Sequence, residues 1–315
     1  MAKLGLASVS IFLISLPVSA ALNRSAVSVN GKDTFPCTVD KPCRTFTAAM
    51  AQTNPGGEVV ALDSGDYDPF TITKSITVES APGVYVGITS SAASAGKGIN
   101  VTASPSDVII IRGVTINGVL SAADTGIAVY SAVTALSIDH CLIQNFNNGG
   151  VTIGASGRYF VTDTTVRECG GGIEVGTKTF GTANGVAIAT IDRCRVERTR
   201  VGGAIDATSN AVVTVRNTVV ASNQIGLTAQ ADYPAEFAEM TVENCEVFDT
   251  AEIGVYAAGL FGGGSVTVRV SNTVVTRSGI AGFFSHFATF ESWGNNKVRG
   301  NTLDSVGTIT PVPTM

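Results

Sequence analysis

The sequence has little charge and few aromatic side chains. Only 14% of its 315 residues are Asp, Glu, Lys or Arg, and 7% are aromatic. Lys and Arg number 20 against 25 Asp and Glu, for a net charge of -5. The chain therefore lacks the basic surplus that binding to a phosphate backbone requires, and nucleic acid is not expected among its partners.

The chain also lacks an apolar stretch of the roughly 18 residues that a membrane-spanning helix needs. The start of the sequence instead has Lys3, an apolar run over 4–16 and the small-residue triplet Val18-Ser19-Ala20, which is the pattern of a cleaved signal peptide. An uncleaved anchor is the alternative, and the shortness of the run argues against it. We expect a signal peptide over 1–20, no transmembrane segment and a secreted or periplasmic location.

What the chain has in abundance is glycine, with 35 residues, and apolar side chains, at 44%. Two patterns recur along it on average about every 26 residues, which is the mark of a repeat fold. The first pattern reads apolar, polar, polar, small, any, apolar, and begins at Ile111, Ile138, Val161, Ile191, Val215, Val242 and Val270. The second reads apolar, any, apolar or small, and occupies 99–101, 127–129, 151–153, 173–175, 205–207, 227–229, 255–257 and 283–285.

Each repeat consists of short β-branched runs with turn residues between them and shows no helical spacing. A unit of this size cannot bury its own apolar face, so each strand must pair in parallel with its equivalent in the next repeat. The sequence thus predicts an all-β solenoid.

The third place of the first pattern must be a turn, because apolar residues five positions apart cannot both point inward on a straight strand. It holds His140, Asp163, Arg193, Asn217, Asn244 and Asn272. Asn and Asp tolerate left-handed backbone, and we expect the Asn members to stack as a ladder. The fourth place then points inward as buried, unreactive side chains: Cys141, Thr164, Cys194, Thr218, Cys245 and Thr273.

Two further cysteines lie in a proline-containing loop near the start of the chain. Cys37 and Cys43 have five residues between them, and in an exported protein we expect them to form a disulfide. Cys169 lies in a turn and is expected to be free. No Cys-x-x-Cys pair or nearby histidine supports a zinc site.

With these features the chain resembles the right-handed parallel β-helix proteins of the pectate-lyase-like superfamily, and especially the secreted bacterial β-helix repeat proteins. The resemblance covers nearly the whole mature chain. It implies a single-stranded right-handed parallel β-helix of about 9–10 coils. The matching motifs are Val29-Asn-Gly-Lys-Asp33, Pro36-Cys37, Pro42-Cys-Arg-Thr-Phe46, Gly56-Gly-Glu-Val59, Gly65-Asp-Tyr67 and Gly294-Asn-Asn-Lys-Val-Arg-Gly-Asn301.

The domain organisation follows. We expect an opening segment and cap over 21–57, the β-helix over 58–301 and a C-terminal tail over 302–315 that covers the far end. Phe46, Ala49 and Met50 have helical spacing and predict a short capping helix within 45–52.

In this superfamily, as the resemblance implies, carbohydrate lies along the outer face of one parallel sheet. The second pattern supplies that sheet. Alternation makes its middle residues point outward: Ala128, Thr152, Glu174, Asp206, Thr228, Tyr256 and Phe284. The loops beside the sheet add Phe180, Tyr233, Phe237 and Phe261 as aromatic rings that could stack on sugars.

Glu174 and Asp206 fall on adjacent coils, about 4.8 Å apart at the backbone. They could act as acid and base on a sugar, or bind calcium, with Arg167, Arg198 or Arg200 holding a uronate or abstracting a proton. The alternative is a solvated ladder of charges with a salt bridge. The catalytic candidates are thus Glu174, Asp206 and Arg198.

The chain departs from the enzyme families of the superfamily. It has no Gly-His-Gly, no Asp-Asp pair of the polygalacturonase kind and no dense Asp cluster resembling a lyase calcium site. His140 and His286 have no recognisable catalytic partner, so a structural role is favoured for both.

The function expected from the sequence is a non-catalytic β-helix protein that binds a polysaccharide or cell-surface glycan along one sheet. Its ligand-binding residues would be Thr152, Glu174, Asp206, Thr228, Tyr233, Tyr256 and Phe284. The alternatives are a polysaccharide lyase or glycoside hydrolase, and a purely structural envelope protein. No cofactor is expected, and Ca²⁺ enters only under the lyase alternative.

Overall fold

The computed structural model describes residues 22–90, 95–118, 123–177, 185–259 and 264–313. The predicted signal peptide lies outside these ranges. Within them the chain forms three long parallel sheets and one short helix, Phe46–Gln52. That helix is much too short to cross a membrane, and none of the described segments forms a longer apolar one.

The strands of each sheet are successive passes of one winding chain. Sheet A contains Leu22–Val27, Thr53–Ala61, Ile76–Ser80, Val108–Arg112, Ala135–Asp139, Gly157–Thr162, Ala187–Asp192, Ala211–Arg216, Phe237–Glu243, Ser265–Ser271, Thr289–Trp293 and Thr310–Val312. Sheet B contains Gly65–Tyr67, Val86–Ser90, Val114–Gly118, Leu142–Gln144, Thr165–Arg167, Arg195–Glu197, Val219–Ala221, Glu246–Phe248, Val274–Thr276 and Lys297–Val298. Sheet C contains Phe70–Ile72, Lys97–Val101, Thr125–Val129, Gly149–Ile153, Gly171–Val175, Gly203–Ala207, Ile225–Ala231, Ile253–Gly259, Ala281–His286 and Leu303–Val306.

The chain visits the sheets in the order A, B, C, and then starts the next coil in A. Every strand pairs in parallel with its equivalents one coil before and after, so that Val151 lies between Ile127 and Ile173. These residues are fully buried, and most inward residues of the other two sheets are buried as well. The parallel β-helix predicted from the two repeat patterns is confirmed.

The turn between sheets A and B has the predicted left-handed backbone. All six third-place residues have positive φ, between 46° and 53°. The Asn244 side chain donates to Asn217 Oδ1 at 2.6 Å, and Asn272 donates to Asn244 Oδ1 at 3.0 Å. This is the expected asparagine ladder, and it closes the turn of three successive coils.

The fourth-place residues point inward and are buried. The backbone N–H of Cys141, of Cys194 and of Cys245 each donates to the hydroxyl of the Thr one coil later, at 3.2–3.3 Å. Burial raises the pKa of the three thiols to about 11, 12 and 11. Cys169 is also a free, buried cysteine. None of these four thiols is the exposed, low-pKa kind that reacts readily.

The N-terminal end is closed by the short helix and by a disulfide. Phe46, Ala49 and Met50 are the buried residues of the helix, as the spacing predicted. The Thr45 hydroxyl accepts a hydrogen bond from the Ala48 N–H at 3.1 Å and caps the helix. Cys37 and Cys43 form a disulfide with their Cα atoms 4.6 Å apart.

Parallel pairing extends beyond the range 58–301 at both ends. Leu22–Val27 pairs with the next strand of sheet A, so the opening segment already forms part of the stack. Within the predicted tail, Leu303–Val306 and Thr310–Val312 add a last strand to sheets C and A. This part of the tail continues the winding instead of crossing the end of the core, because its backbone groups find partners on the exposed strand edges.

Candidate functional site

The predicted outward residues of sheet C form one continuous column. Backbone pairing places Ala128, Thr152, Glu174, Asp206, Thr228, Tyr256 and Phe284 at equivalent positions on seven successive coils. Two members contribute little surface, because Ala128 is fully buried and Thr228 is only 6% exposed. The other five are half-buried.

Three of the column residues line an open cleft of about 460 Å³ on the outer face of sheet C. They are Thr152, Glu174 and Asp206, which lie on adjacent coils. Turn residues complete the polar lining of the cleft with the carboxyl of Asp124, the amide of Asn148 and the hydroxyl of Tyr130. The predicted acidic pair therefore lies in a concave site with space for a ligand.

Glycines make the surface concave at this place. Gly149, Gly171 and Gly203 begin the three sheet C strands that carry the cleft. A Cβ on Gly203 would overlap the Asp206 carboxyl, and a Cβ on Gly149 would overlap the Thr152 hydroxyl. A Cβ on Gly171 would have only the Val201 carbonyl oxygen nearby, at 4.0 Å, because it would project into open space.

Tyr130 supplies an aromatic surface to the cleft. The residue is 54% exposed, and its ring lies over Gly154, where a Cβ would be 2.8 Å from the ring. Lys97 Nζ lies 5.1 Å from the ring centroid on the preceding coil, within the range of a cation–π interaction. A rigid, exposed ring beside polar groups can stack on the apolar face of a sugar.

The carboxyl groups of the cleft influence one another. Burial raises the pKa of Asp206 to about 7, and the Glu174 carboxylate adds to the increase. The Thr228 hydroxyl stabilises the charged form of Asp206 from nearby, but it makes no hydrogen bond of good geometry. Burial, Asp124 and Glu174 raise the pKa of Tyr130. A neutral Asp206 beside a carboxylate can donate a proton, as an acid/base pair requires.

The arginines expected to join the acidic pair are engaged elsewhere. Arg198 forms ion pairs with Glu168 at 3.0 Å and with Glu197 at 2.9 Å. Arg200 donates to the carbonyl oxygens of Glu168 and Phe146, and Arg167 to Gln144 at 2.8 Å.

None of these three arginines is among the residues that line the cleft, so the structure does not bring them together with Glu174 and Asp206 as the role of holding a uronate or abstracting a proton would require. The reason is local. Arg198 has left-handed backbone, with φ 55°, and its side chain pairs with Glu168 at the equivalent turn one coil earlier.

The aromatic ligand-binding candidates lie outside the cleft lining. Tyr256 and Phe284 stack edge to face, with centroids 5.3 Å apart, further along the column. Tyr233 is 60% exposed in the loop after Ile225–Ala231. Phe237 is half-buried at the start of a sheet A strand, and Phe180 and Phe261 lie outside the described residues.

Sequence reasoning missed Asp124, Asn148 and Tyr130. Asp124 and Asn148 are neighbours on successive coils, just before the first residue of a sheet C strand, and the Asn148 amide donates to Asp124 Oδ1. The signal for Tyr130 was that its equivalent one coil later is Gly154, which leaves room for a ring.

One group outside the cleft has the composition of a metal site. Ligand atoms of Asp139, His140 and Asp163 lie within 4.8 Å of one another. Asp139 already pairs with Arg112 at 3.1 Å and Asp163 with Arg193 at 2.7 Å. The cluster is thus part of a neutralised network of charges along the turn, which agrees with the structural role predicted for His140.

Comparison with known proteins agrees with the parallel β-helix seen in the structure. A family model described as "Right handed beta helix region" matches residues 71–237, more than half of the chain. No curated protein matches the sequence.

Among solved structures, an alginate lyase from Paenibacillus sp. str. FPU-7 is 16% identical, with 91% of this chain and 99% of that chain covered and a TM-score of 0.61. XylC in complex with xylose is 9% identical, with coverages of 87% and 69% and a TM-score of 0.60. The pectate lyase Pel9A is 18% identical, with coverages of 89% and 72% and a TM-score of 0.53. At these identities the likeness to solved structures establishes the fold alone. The family model covers more than half of the sequence, and the chain therefore belongs to the right-handed β-helix family.

Proposed function

We propose that this protein is an exported carbohydrate-binding protein whose ligand lies in the cleft on the outer face of sheet C. The observation that carries the proposal is the composition of that cleft. An exposed ring, Tyr130, stands beside Thr152, Glu174 and Asp206, on strands that begin with glycine. Sugar binding requires this combination, because a sugar ring has an apolar face for stacking and a rim of hydroxyl groups for hydrogen bonds.

The polar groups suit hydroxyl recognition. The carboxyls of Glu174 and Asp206 accept hydrogen bonds, and the amide of Asn148 both donates and accepts. They lie on stacked strands whose positions are fixed by pairing on both sides, so little ordering is needed on binding. Among the neighbours of known structure, the names include a pectate lyase, an alginate lyase and a complex with xylose, so pectate, alginate and xylose-containing oligosaccharides belong in the first panel of ligands to test.

The test is glycan-array screening followed by calorimetry with the oligosaccharides that bind. Gly171→Leu is the decisive variant, because Gly171 lines the cleft and a Cβ there would have no atom nearer than 4.0 Å. We expect the larger side chain to occupy space in the cleft. Gly294→Leu is the matched control, since this glycine also has open space around it and lies outside the cleft. We expect at least about a tenfold loss of affinity for Gly171→Leu and none for Gly294→Leu. Equal affinity in both variants would place the ligand elsewhere.

Glycoside hydrolysis is the second candidate, and the raised pKa of Asp206 favours it. Asp206, protonated near neutral pH, would donate its proton to the glycosidic oxygen, and the Glu174 carboxylate would act as base or nucleophile. The two residues occupy paired positions on adjacent strands. The lyase alternative proposed an arginine as the proton-abstracting base, and no arginine is among the described residues that line the cleft.

Product analysis separates these activities. Hydrolysis yields new reducing ends, whereas a lyase also yields an unsaturated product that absorbs in the ultraviolet. Under the binding proposal, the wild type and the Glu174→Gln and Asp206→Asn variants produce neither. Reducing ends that disappear in Glu174→Gln would make the protein a hydrolase, and an unsaturated product that requires Ca²⁺ would make it a lyase.

Export is the remaining part of the proposal. It rests on the signal-peptide pattern of residues 1–20 and is consistent with the Cys37–Cys43 disulfide, which is typical of oxidising compartments. Mass spectrometry of the protein from a fractionated bacterial host should find a mature chain that begins at Ala21 outside the cytoplasm. A full-length chain in the cytoplasm would contradict export and leave the proposed ligand site unaffected.

A further inference from the structure

The cleft on sheet C is acidic throughout. Three of its lining residues are Asp124, Glu174 and Asp206, and none of the residues that line it within the described part of the chain is Arg, Lys or His. Its other polar groups are neutral hydroxyls and amides, such as those of Thr152 and Asn148. The described residues that line the cleft therefore offer a ligand acidic and neutral polar groups and no cation.

Basic side chains described on the neighbouring elements hold other partners. Lys97 Nζ lies 5.1 Å from the ring centroid of the cleft residue Tyr130, in a cation–π contact, and Lys97 itself is not among the described residues that line the cleft. The Arg200 guanidinium donates to the carbonyl oxygens of Phe146 and Glu168, and Arg198 pairs with Glu168 and Glu197. In the described part of the chain, the lining of the cleft thus includes no arginine of the kind that commonly recognises a carboxylate through two hydrogen bonds.

We infer that the glycan recognised by this cleft carries no acidic groups, and that the protein discriminates against polyuronates. The inference rests on the proposed carbohydrate-binding function and names the class of its ligand. A uronate carboxylate beside Glu174 and Asp206 would be repelled and would find no donor of opposite charge, whereas the hydroxyl groups of a neutral sugar can donate to both carboxyl groups. The inference sets this chain apart from a pectate lyase and an alginate lyase, whose names refer to acidic polymers.

A chemically matched pair of ligands tests this directly. Oligogalacturonate and its fully methyl-esterified form have the same sugar backbone and differ in charge. We expect the ester to bind the wild type at least about tenfold more tightly than the free acid, since like charges across an interface are strongly unfavourable. The binding is to be measured by calorimetry at low ionic strength, without and with added Ca²⁺, beside a panel of neutral oligosaccharides.

Two variants identify the cause. The double variant Glu174→Gln with Asp206→Asn removes two of the three carboxyl groups that line the cleft. We expect it to narrow the difference in affinity between ester and acid, and to do so most at pH 8, where Asp206 of the wild type is ionised. Gly171→Leu should weaken the binding of every ligand in the panel, because it fills the cleft.

The binding results that would overturn the preference for neutral glycans differ from those that would overturn carbohydrate binding itself. Free acid that binds as tightly as the ester, or more tightly, overturns the inference and leaves the carbohydrate site in place. Acid that binds only when Ca²⁺ is present, and only with Glu174 and Asp206 intact, also overturns it, because the carboxylates would then hold a bridging ion. Failure of both the neutral and the acidic members of the array to bind refutes the proposed function itself.

Discussion

Asp206 combines two effects that oppose its ionisation, namely burial and the neighbouring Glu174 carboxylate. Its pKa of about 7 in the folded protein lies above the ordinary value of 3.8. The folded state therefore holds a proton that the unfolded state releases, and the stability due to this group is fully present below about pH 4. That stability is lost as the pH rises through about 7.

Asp206→Asn should remove the free-energy cost of holding an ionised Asp206 in the folded protein. We expect the variant to be more stable than the wild type by about 2 kcal/mol at pH 8, with the difference shrinking as the pH falls towards 4. Urea-induced unfolding at several pH values measures it. Asp40→Asn, at an exposed position in the N-terminal loop, is the control and should leave the pH dependence unchanged. An Asp206→Asn variant that is less stable than the wild type at pH 8 would show that the carboxylate is stabilised in the fold.

The acidic pair was predictable because its position depends on a strict period. A residue that alternates outward on one strand must lie beside its equivalent on the next, so the sequence placed Glu174 next to Asp206. Tyr130 and Asp124 were not predictable in the same way. They lie just outside the strands, beyond the ends of the two repeat patterns, so the recurrence of apolar residues did not single them out. For Tyr130 the one signal was the glycine at the equivalent position of the next coil.

At the scale of the strand and its turn, each asparagine of the ladder contributes to stability in two ways that can be separated, through its side-chain hydrogen bonds and through its tolerance of left-handed backbone. Asn244 has φ 53° and makes side-chain hydrogen bonds to both Asn217 and Asn272. Asn244→Ala loses both bonds and forces a Cβ-bearing residue without a turn preference into left-handed backbone. Asn244→Gly also loses the hydrogen bonds, but glycine adopts the left-handed backbone conformation without steric cost.

We expect unfolding by urea to show a loss of about 1 to 3 kcal/mol for Asn244→Ala. The loss for Asn244→Gly should be smaller, because only the hydrogen bonds are missing. A glycine variant that is destabilised as much as the alanine variant would assign the whole effect to the ladder.

A second column of left-handed turn residues follows sheet B, and its members share no chemical type: Asn145, Glu168, Arg198, Ser222, Asp249 and Arg277. Asparagine and aspartate in a sequence indicate such a turn, because they tolerate left-handed backbone, whereas glutamate and arginine do not indicate one. There the backbone conformation is set by the coils on either side, which explains why the first turn was predictable and the second was not.

At the scale of the whole molecule, the stack depends on its covered N-terminal end. Phe46 is 1% exposed and packs against Tyr67 and Phe70, with ring centroids 5.3 and 4.8 Å away. Phe46→Ala should cost about 3 to 5 kcal/mol through the cavity it leaves. Loosening of the cap would also expose strand edges to other molecules.

Thermal unfolding and light scattering test both effects. We expect a lower Tm and concentration-dependent self-association for Phe46→Ala, and neither for Thr47→Ala, which changes an exposed residue of the same helix. A Phe46→Ala protein that remains monomeric after partial unfolding would show that the cap has no protective role.

The glycines at the start of three adjoining sheet C strands have a consequence for how such proteins can diversify. At Gly171 a larger residue could enter the recess by a single change, because a Cβ there meets no close neighbour. At Gly149 and Gly203 a Cβ would overlap the Thr152 hydroxyl or the Asp206 carboxyl, so a larger residue there requires a second change three positions later on the same strand. New specificities are therefore accessible through single or paired point changes within a strand, while the backbone pairing between coils is kept.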